Sequence, residues 1–267
     1  MTVAALPIYL SKYQDDKEMA NLAGRTALVT GAAKRIGREI SIAIASDGAD
    51  VVLHYNSSLS EAESLKTEIK AMGRNAWTVG QKFTGPDSAD ELMEKATDAA
   101  GRVDILINSA SVYPAALEKS HEREKMGSTV MTNAWIPWIL SNRFSKIVDS
   151  GDIINLLDTR ISGHDIGRPV YYLSKQLLRY ITEELALILA PRFRVNAIAP
   201  GLILPPEGKG PAYFEKLKSD VPLKKSGEAR DVSNAVLFLL HSGFITGQII
   251  FLDGGQHLLH RVYGAGK

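Results

Sequence analysis

Residues 26–37 read Thr26-Ala27-Leu28-Val29-Thr30-Gly31-Ala32-Ala33-Lys34-Arg35-Ile36-Gly37, an apolar strand-like run followed by a glycine-bearing turn. A helical pattern then continues to about Ser46. A turn of this kind lets backbone amides approach a phosphate at the positive end of the helix dipole. Arg35 occupies the place where a dinucleotide fingerprint has a third glycine. The stretch predicts a nucleotide-binding strand–turn–helix unit, with a purely structural glycine turn as the alternative.

The remainder of the chain repeats this alternation of strand and helix. Further strands are predicted at residues 50–55, 76–79, 103–107, 151–157, 193–198 and 248–252. Strands that alternate with helices form a parallel sheet covered on both faces. We therefore predict one doubly wound α/β domain of about seven strands over residues 25–267, preceded by a surface extension at residues 1–24.

Composition restricts the classes of function. The chain has 267 residues and a formal net charge of +1, so its charge gives no reason to expect a nucleic-acid or membrane partner. It has no cysteine, which excludes disulfides and thiolate metal sites, and its six histidines form no metal-ligand pattern. Neither a membrane-spanning run nor a secretory signal is visible. We expect a cytoplasmic protein without a metal.

The end of the second strand indicates which dinucleotide binds. A site that prefers NAD carries an Asp or Glu there for the ribose hydroxyls. This chain has only uncharged residues at that position, namely His54, Tyr55, Asn56 and Ser57. Lys34 and Arg35 in the glycine turn add positive charge nearby, and a missing carboxylate with an added cation suits a 2′-phosphate. The pattern predicts NADP(H); the alternative is that the two cations are a solvated pair.

Small residues follow the fourth strand, where Asn108, Ala110 and Ser111 leave room for a flat ligand above the sheet. Tyr113 is the first aromatic residue that could reach over such a ligand, although an ordinary loop tyrosine is an equal alternative. The carboxyl ends of parallel strands meet at one edge, so this loop should lie beside Asp158, which ends the fifth strand.

Tyr171 and Lys175 lie four residues apart in a helical run and therefore share one helix face. An ammonium beside a phenol lowers the phenol pKa from about 10 toward neutrality. A tyrosine that exchanges a proton near neutral pH is what carbonyl or imine reduction requires. The spacing alone is weak evidence, and its value depends on the motifs around it.

Together these motifs resemble the short-chain dehydrogenase/reductase family over residues 26–258. The resemblance implies a Rossmann-like fold, a nicotinamide cofactor, a tyrosine–lysine proton relay that includes Asn133, and a homotetramer. The carrying motifs are Thr30-Gly31, Ile36-Gly37, Asn108-x-Ala110, Asn133, Tyr171-x-x-x-Lys175, Pro200-Gly201 and Asp253-Gly254-Gly255. The implied cofactor contacts also include Phe83, Leu202 and Ile203.

Two departures from the common family pattern narrow the resemblance. Most members have Gly in place of Arg35 and Ser in place of Asp158. Both departures resemble the pteridine reductase branch, and the region after residue 195 resembles bacterial dihydromonapterin reductases. Many relatives carry an Asp near the adenine where Lys82 stands, which leaves the adenine contact of this chain to backbone groups.

The chemistry of Asp158 favours the same branch. A carboxylate repels a developing oxyanion, which disfavours a ketone substrate unless Asp158 stays protonated. A pterin instead presents N–H donors and an imine nitrogen that must be protonated. We expect Tyr171 with Asp158 to supply the proton and Lys175 to lower the tyrosine pKa and hold the ribose. Asn133 is expected to maintain a water relay.

The same hypothesis assigns the substrate contacts. Arg35 and Ser111 are expected to contact a phosphate or the pterin, and Tyr113 to stack the pterin against the nicotinamide. The rival enzyme is a reductase of 3-oxoacyl thioesters or small ketones. A rival of another class is an NADPH-binding sensor without turnover, against which the complete tyrosine–lysine pair argues.

Overall fold

Seven parallel strands form the central sheet of the computed structural model, which describes residues 21–113, 123–205, 215 and 217–264. In chain order, the strands of the described residues, including two that lie outside the central sheet, are β1 (Thr26–Val29), β2 (Asp50–Tyr55), β3 (Ala76–Gly80), β4 (Ile105–Asn108), β5 (Gly151–Leu156), β6 (His164–Asp165), β7 (Phe193–Pro200), β8 (Ile249–Leu252) and β9 (Val262–Tyr263). The order across the sheet is β3-β2-β1-β4-β5-β7-β8, while β6 and β9 form a separate parallel pair. The strand order reverses between β1 and β4, the point at which doubly wound sheets bind ligands.

Helices cover both faces of this sheet, as predicted. They are α1 (Arg35–Ser46), α2 (Leu59–Ala71), α3 (Asp87–Ala100), α4 (Arg123–Val130), α5 (Ile136–Ile147), α6 (Pro169–Ile188) and α7 (Ala229–His241). A π-helix, Met131–Trp135, joins α4 to α5, and short 3-10 helices lie at Thr159–Ser162 and Gln256–Leu259. The predicted doubly wound parallel α/β fold is therefore confirmed.

The core has two halves because successive strand residues point to opposite faces. Leu28 of β1 packs in the cluster formed with α3, α5 and α6. Its neighbours Ala27 and Val29 pack in the cluster formed with α1, α2 and α7. Strands buried on both faces explain why the predicted strands are continuous apolar runs.

Two predicted segments fall wholly or partly outside the described residues. Residues 1–20 of the proposed extension lie outside them, whereas Leu22 is buried and its amide bonds the Asp47 carbonyl at 2.8 Å. The sequence also predicts a covering segment at residues 203–220, which are rich in Pro, Gly and Lys, and residues 206–214 and 216 of this segment lie outside the described ranges. In the part of the chain that is described, no helix is long and apolar enough to cross a membrane.

Candidate active site

The glycine turn packs directly against the end of β4. Thr30 Oγ1 accepts hydrogen bonds from the amides of Ser109 and Ala110, both at 3.0 Å. Gly31 has a φ of +66°, and a Cβ there would lie 3.0 Å from the Ala110 Cα. A Cβ on Gly37 would lie 2.3 Å from the Gly31 carbonyl oxygen. The two glycines are therefore required for a turn this close to its neighbours.

Arg35 follows the turn in a left-handed conformation, with a φ of +56°. This conformation costs a non-glycine residue roughly 1 kcal/mol. Its guanidinium Nη2 donates to the Pro205 carbonyl at 2.7 Å, so the side chain spans from the turn to the segment after β7. Lys34 Nζ lies 2.7 Å from Glu61 Oε1 at the surface. Contacts of Arg35 and Lys34 with a 2′-phosphate, and of Arg35 with a substrate, stay predictions.

His54 supports the turn from within the protein. Gly31 N–H donates to His54 Nδ1 at 3.1 Å, and Nε2 faces the Gln81 carbonyl at 2.9 Å. Burial lowers the pKa of His54 from 6.5 to about 4, the Gln81 carbonyl opposing this in part, so the ring is neutral. Both ring nitrogens bond the protein, and the ring of Phe83 lies 4.8 Å away. His54 therefore holds the glycine turn, and its contact with the cofactor stays a prediction.

The remaining predicted cofactor residues line the same edge of the sheet. Tyr55 ends β2, with its ring against Gly80, and Asn56 and Ser57 follow it at the surface. The Asn108 amide turns inward, where Nδ2 donates to Asn155 Oδ1 at 2.8 Å and Oδ1 is buried without a partner among the described residues. Other members lie at the ends of β1, β4 and β7: Ile36, Gly37, Ala110, Pro200, Gly201, Leu202 and Ile203.

Asn133 is buried in the π-helix and uses both ends of its amide. Oδ1 accepts from the Val112 amide at 2.8 Å and from Ser111 Oγ at 3.2 Å. Nδ2 donates to the Val112 carbonyl and to Ser174 Oγ, both at 3.0 Å. The side chain therefore anchors the loop after β4 to α6. A π-turn often marks a functional site, but the expected water relay through Asn133 stays a prediction.

Tyr171 and Asp158 meet as the sequence predicts, with the phenol oxygen 2.9 Å from Asp158 Oδ2. The pKa of Tyr171 is raised well above 10, by burial first and by the Asp158 carboxylate second. The expectation that Lys175 lowers this pKa is therefore wrong for this structure. Lys175 Nζ instead donates to the Leu156 carbonyl at 2.7 Å and lies 5.8 Å from the centre of the Tyr171 ring. Tyr171 is accordingly a protonated donor.

Lys175 is buried, and its desolvation lowers its pKa from 10.5 to about 8, although the Asp158 charge opposes this in part. The ammonium is still mostly charged at neutral pH. Asp158 also caps the following 3-10 helix, because its Oδ1 accepts the Arg160 amide at 2.9 Å. The carboxyl is therefore held on both oxygens, one by the helix end and one by the phenol.

Arg160, two residues after Asp158, is a site residue that no sequence motif predicts. Its Nη1 donates to the Tyr113 hydroxyl at 2.7 Å. Burial disfavours its charge, but Asp158, Tyr113 and Asp165 outweigh this and raise the pKa of Arg160 above its usual value. The Tyr113 ring meets the Tyr171 ring edge to face, with centroids 4.7 Å apart. Tyr113 thus lies beside Tyr171, and its stacking on a pterin stays a prediction.

The residues present fit a phosphorylated dinucleotide. Gly31 and Gly37 let the backbone of the turn pack closely with no side chain at either position, and small residues such as Ala110 border it. The residues at the end of β2 include no Asp or Glu. The nearest acid along the chain, Glu61, pairs with Lys34. Within the described ranges, no group of three His, Asp or Glu side chains is arranged to hold a metal ion.

Comparisons with known proteins agree with this geometry. A family model described as "Enoyl-(Acyl carrier protein) reductase" matches residues 31–257. A 3-oxoacyl-[acyl-carrier-protein] reductase FabG of Staphylococcus epidermidis is 31% identical over 250 residues, covering 88% of this chain and 99% of the relative. An uncharacterised oxidoreductase of Methylorubrum extorquens is 33% identical over 247 residues, covering 89% and 99%.

Two solved structures are similar along nearly their whole length. The FolM alternative dihydrofolate reductase 1 of Brucella canis, complexed with NADP, has a TM-score of 0.84 and 35% identity, covering 89% of this chain and 95% of that one. A blue fluorescent protein from a metagenomic library, in complex with NADPH, has a TM-score of 0.81 and 30% identity, covering 88% and 99%.

Proposed function

We propose that this chain, which belongs to the short-chain dehydrogenase/reductase family, is a cytoplasmic NADPH-dependent reductase that acts on a pteridine. Membership makes it an oxidoreductase. The observation that carries the substrate class is the 2.9 Å contact between the Tyr171 phenol and the Asp158 carboxyl. The FolM relative, whose name describes a dihydrofolate reductase, supports the same class.

The cofactor assignment rests on the chain's own residues. The turn from Gly31 to Gly37 would hold the diphosphate against the start of α1, and Lys34 and Arg35 would hold the 2′-phosphate. Lys175 would hold the nicotinamide ribose. Bound NADPH would supply a hydride to the carbon of a C=N bond. Similar structures in complex with NADP and NADPH support this choice.

The protein supplies the proton. Addition of a hydride to the carbon of a C=N bond leaves a lone pair on nitrogen, and a proton completes the new N–H bond. Tyr171 is held as a neutral phenol by burial and by Asp158, so it can donate that proton. The carboxyl of Asp158 can accept an N–H of the substrate, and the Lys175 ammonium, 5.8 Å from the centre of the Tyr171 ring, offsets the negative charge that the phenolate then carries. We further propose that Asn133 and Lys175 lie on the route by which Tyr171 recovers its proton.

The substrate lies, in this proposal, between the nicotinamide position and Tyr113. The Tyr113 ring stands edge to face with the Tyr171 ring. Ser111 lies in the same loop as Tyr113, after the end of β4. Arg35 donates a hydrogen bond to the Pro205 carbonyl in the segment after β7. A flat, donor-rich ring suits a site that has an aromatic wall and an acceptor carboxyl.

The FabG relatives favour a second candidate, a 3-oxoacyl thioester or small-ketone reductase. That reaction develops negative charge on a carbonyl oxygen, which a hydroxyl stabilises and an ionised Asp158 repels. The test is NADPH oxidation with dihydropterins and 7,8-dihydrofolate against acetoacetyl thioesters and small ketones. We expect kcat/KM to be highest for a dihydropterin. Higher kcat/KM for the thioester would replace the proposal with its rival, and tight NADPH binding without any turnover would indicate a sensor.

A homotetramer is part of the proposal. Large apolar side chains of α6 are exposed along one side: Leu173, Tyr180, Leu187 and Ile188 are 58%, 62%, 77% and 58% exposed. Apolar faces of this kind mark contact surfaces. Light scattering on the purified protein should give four times the chain mass of 29.1 kDa; a monomer at micromolar concentration would contradict it.

A further inference from the structure

The guanidinium of Arg160 contacts two tyrosine rings beside the reacting pair. Its central carbon is 5.4 Å from the centre of the Tyr113 ring and 5.2 Å from the centre of the Tyr263 ring. Nη1 donates to the Tyr113 hydroxyl at 2.7 Å and to Asp165 Oδ2 at 2.5 Å. Asp165 is nearly fully buried, so this ion pair is shielded from water and holds the guanidinium in one orientation.

The carboxy-terminal strand brings Tyr263 to this position. In the pair formed by β6 and β9, the His164 amide bonds the Arg261 carbonyl and the Ile166 amide bonds the Tyr263 carbonyl, each at 2.9 Å. A Cβ on Gly163 would lie 2.2 Å from the Arg261 carbonyl oxygen, so the two segments approach as closely as glycine permits. The last described strand of the chain thereby becomes part of the active-site wall.

Arg160 contacts two residues, Asp158 and Tyr113, that lie next to the Tyr171 phenol. Its Nε lies 4.0 Å from Asp158 Oδ1, the carboxylate oxygen that does not face the phenol. Its bond to Tyr113 fixes the ring that stands edge to face with Tyr171. One cation therefore orients both the carboxyl that contacts the phenol and the wall against which a substrate ring would rest.

We propose that Arg160 and Tyr263 are positioning residues for the reduction, which act through Asp158 and Tyr113. This inference rests on the proposed function as a reductase at this site. Arg160 without Tyr263 lacks one of its two aromatic faces, and Tyr113 without Arg160 lacks the partner of its hydroxyl. The two residues therefore act as one unit, and their substitutions should not combine independently.

The experiment compares Arg160→Met, Arg160→Lys, Tyr263→Ala, Tyr263→Phe and the Met/Ala double variant, in the full-length chain with a dihydropterin and NADPH. Loss of orientation typically costs about 10–100-fold, so Arg160→Met should lower kcat by that factor and Tyr263→Ala by about 10-fold. The double variant should match Arg160→Met to about twofold. Arg160→Lys and Tyr263→Phe, which keep the charge and the ring, should recover most of the loss. The dissociation constant of NADPH should not change.

Arg192→Met is the matched control, because Arg192 also covers an aromatic ring, at 5.3 Å from Phe193, at the opposite end of the strands. It should leave kcat and KM unchanged. Wild-type kcat in Arg160→Met, or losses that multiply in the double variant, would overturn the inference. If Arg160→Met does not fold, the comparison of Tyr263→Ala with Tyr263→Phe decides, since equal kcat in these two would also overturn it.

Failure of the proposed function looks different. If the wild-type protein reduces an acetoacetyl thioester and no pterin, the substrate class is wrong, and the same variants are then assayed with the thioester. A kcat loss in Arg160→Met with that substrate supports the positioning role independently of the pterin.

Discussion

The two sides of the site are built in opposite ways. The cofactor side is centred on one local motif, the turn from Gly31 to Gly37, which His54 of β2 supports through the Gly31 amide. The reacting side joins Asp158, Arg160 and Tyr171 to Tyr113 and Tyr263, which come from distant parts of the chain. A local sequence motif therefore identifies the cofactor side, whereas the residues of the reacting side come together only when the chain folds. Substitutions should divide accordingly into those that affect cofactor binding and those that affect turnover.

The sharpest test of this division is Tyr171→Phe. It removes the proton donor and keeps the ring that packs against Tyr113. General acid catalysis contributes about 10²–10⁴-fold, so we expect kcat to fall by about 1000-fold while NADPH binds as before. Stopped-flow turnover and a fluorescence titration with NADPH measure the two quantities. A parallel loss of NADPH affinity would show that the two sides are not separable.

Gly37→Ala tests the cofactor side. The new Cβ would lie 2.3 Å from the Gly31 carbonyl oxygen, which is backbone and cannot rotate away. Overpacking of this kind typically costs about 3 kcal/mol, and we expect it as lower stability and weaker NADPH binding. Gly127→Ala is the control, because no atom lies within 4 Å of a Cβ placed there. Equal thermal midpoints for the two variants would contradict the close packing of the turn.

Asp158→Asn tests the role of the carboxyl on the reacting side. The amide keeps the size of the carboxyl but loses its charge and one acceptor oxygen, so kcat with a dihydropterin should fall by about 100-fold. Turnover of a ketone, if any is detected, should fall less, since a neutral group no longer repels an oxyanion. Full activity of the variant on dihydropterin would show that the role assigned to Asp158 is wrong.

The smallest effect concerns the pH dependence of stability through His54. Its pKa is about 4 when folded against 6.5 when unfolded, so the unfolded state binds more protons between these values. The stabilisation is complete above pH 6.5 and is lost as the pH falls toward 4. With those two pKa values, the unfolding free energy should decrease by about 2 kcal/mol from pH 7 to pH 5.

Urea unfolding of the wild-type protein and of His54→Gln at both pH values isolates this contribution, because all other titrating groups are common to the two proteins. The decrease should be smaller in His54→Gln by that amount. An equal decrease in both proteins would mean that the buried imidazole does not titrate as described.

Several parts of the site follow from the residues alone. The four-residue spacing of Tyr171 and Lys175 places both on one helix face, and Asp158 at a strand end meets the phenol at 2.9 Å. The contact of the Lys175 ammonium and the direction of the Tyr171 pKa shift could not be predicted from the sequence. Lys175 turns to the Leu156 carbonyl and burial raises the Tyr171 pKa, because desolvation depends on the packing of the whole domain.

Periodicity and turn residues by themselves determined the alternation of strands and helices, the glycine turn and the edge at which the strand ends meet, since each depends on neighbours a few residues apart. Only the tertiary structure decided that His54 faces inward, that Asn133 bonds Val112 and Ser174, and that Tyr263 covers Arg160. These contacts join residues that are 21 to 103 positions apart, as the residue numbers show. No local pattern encodes such pairs, because their free energy is gained only when the sheet and both helix layers have brought them together.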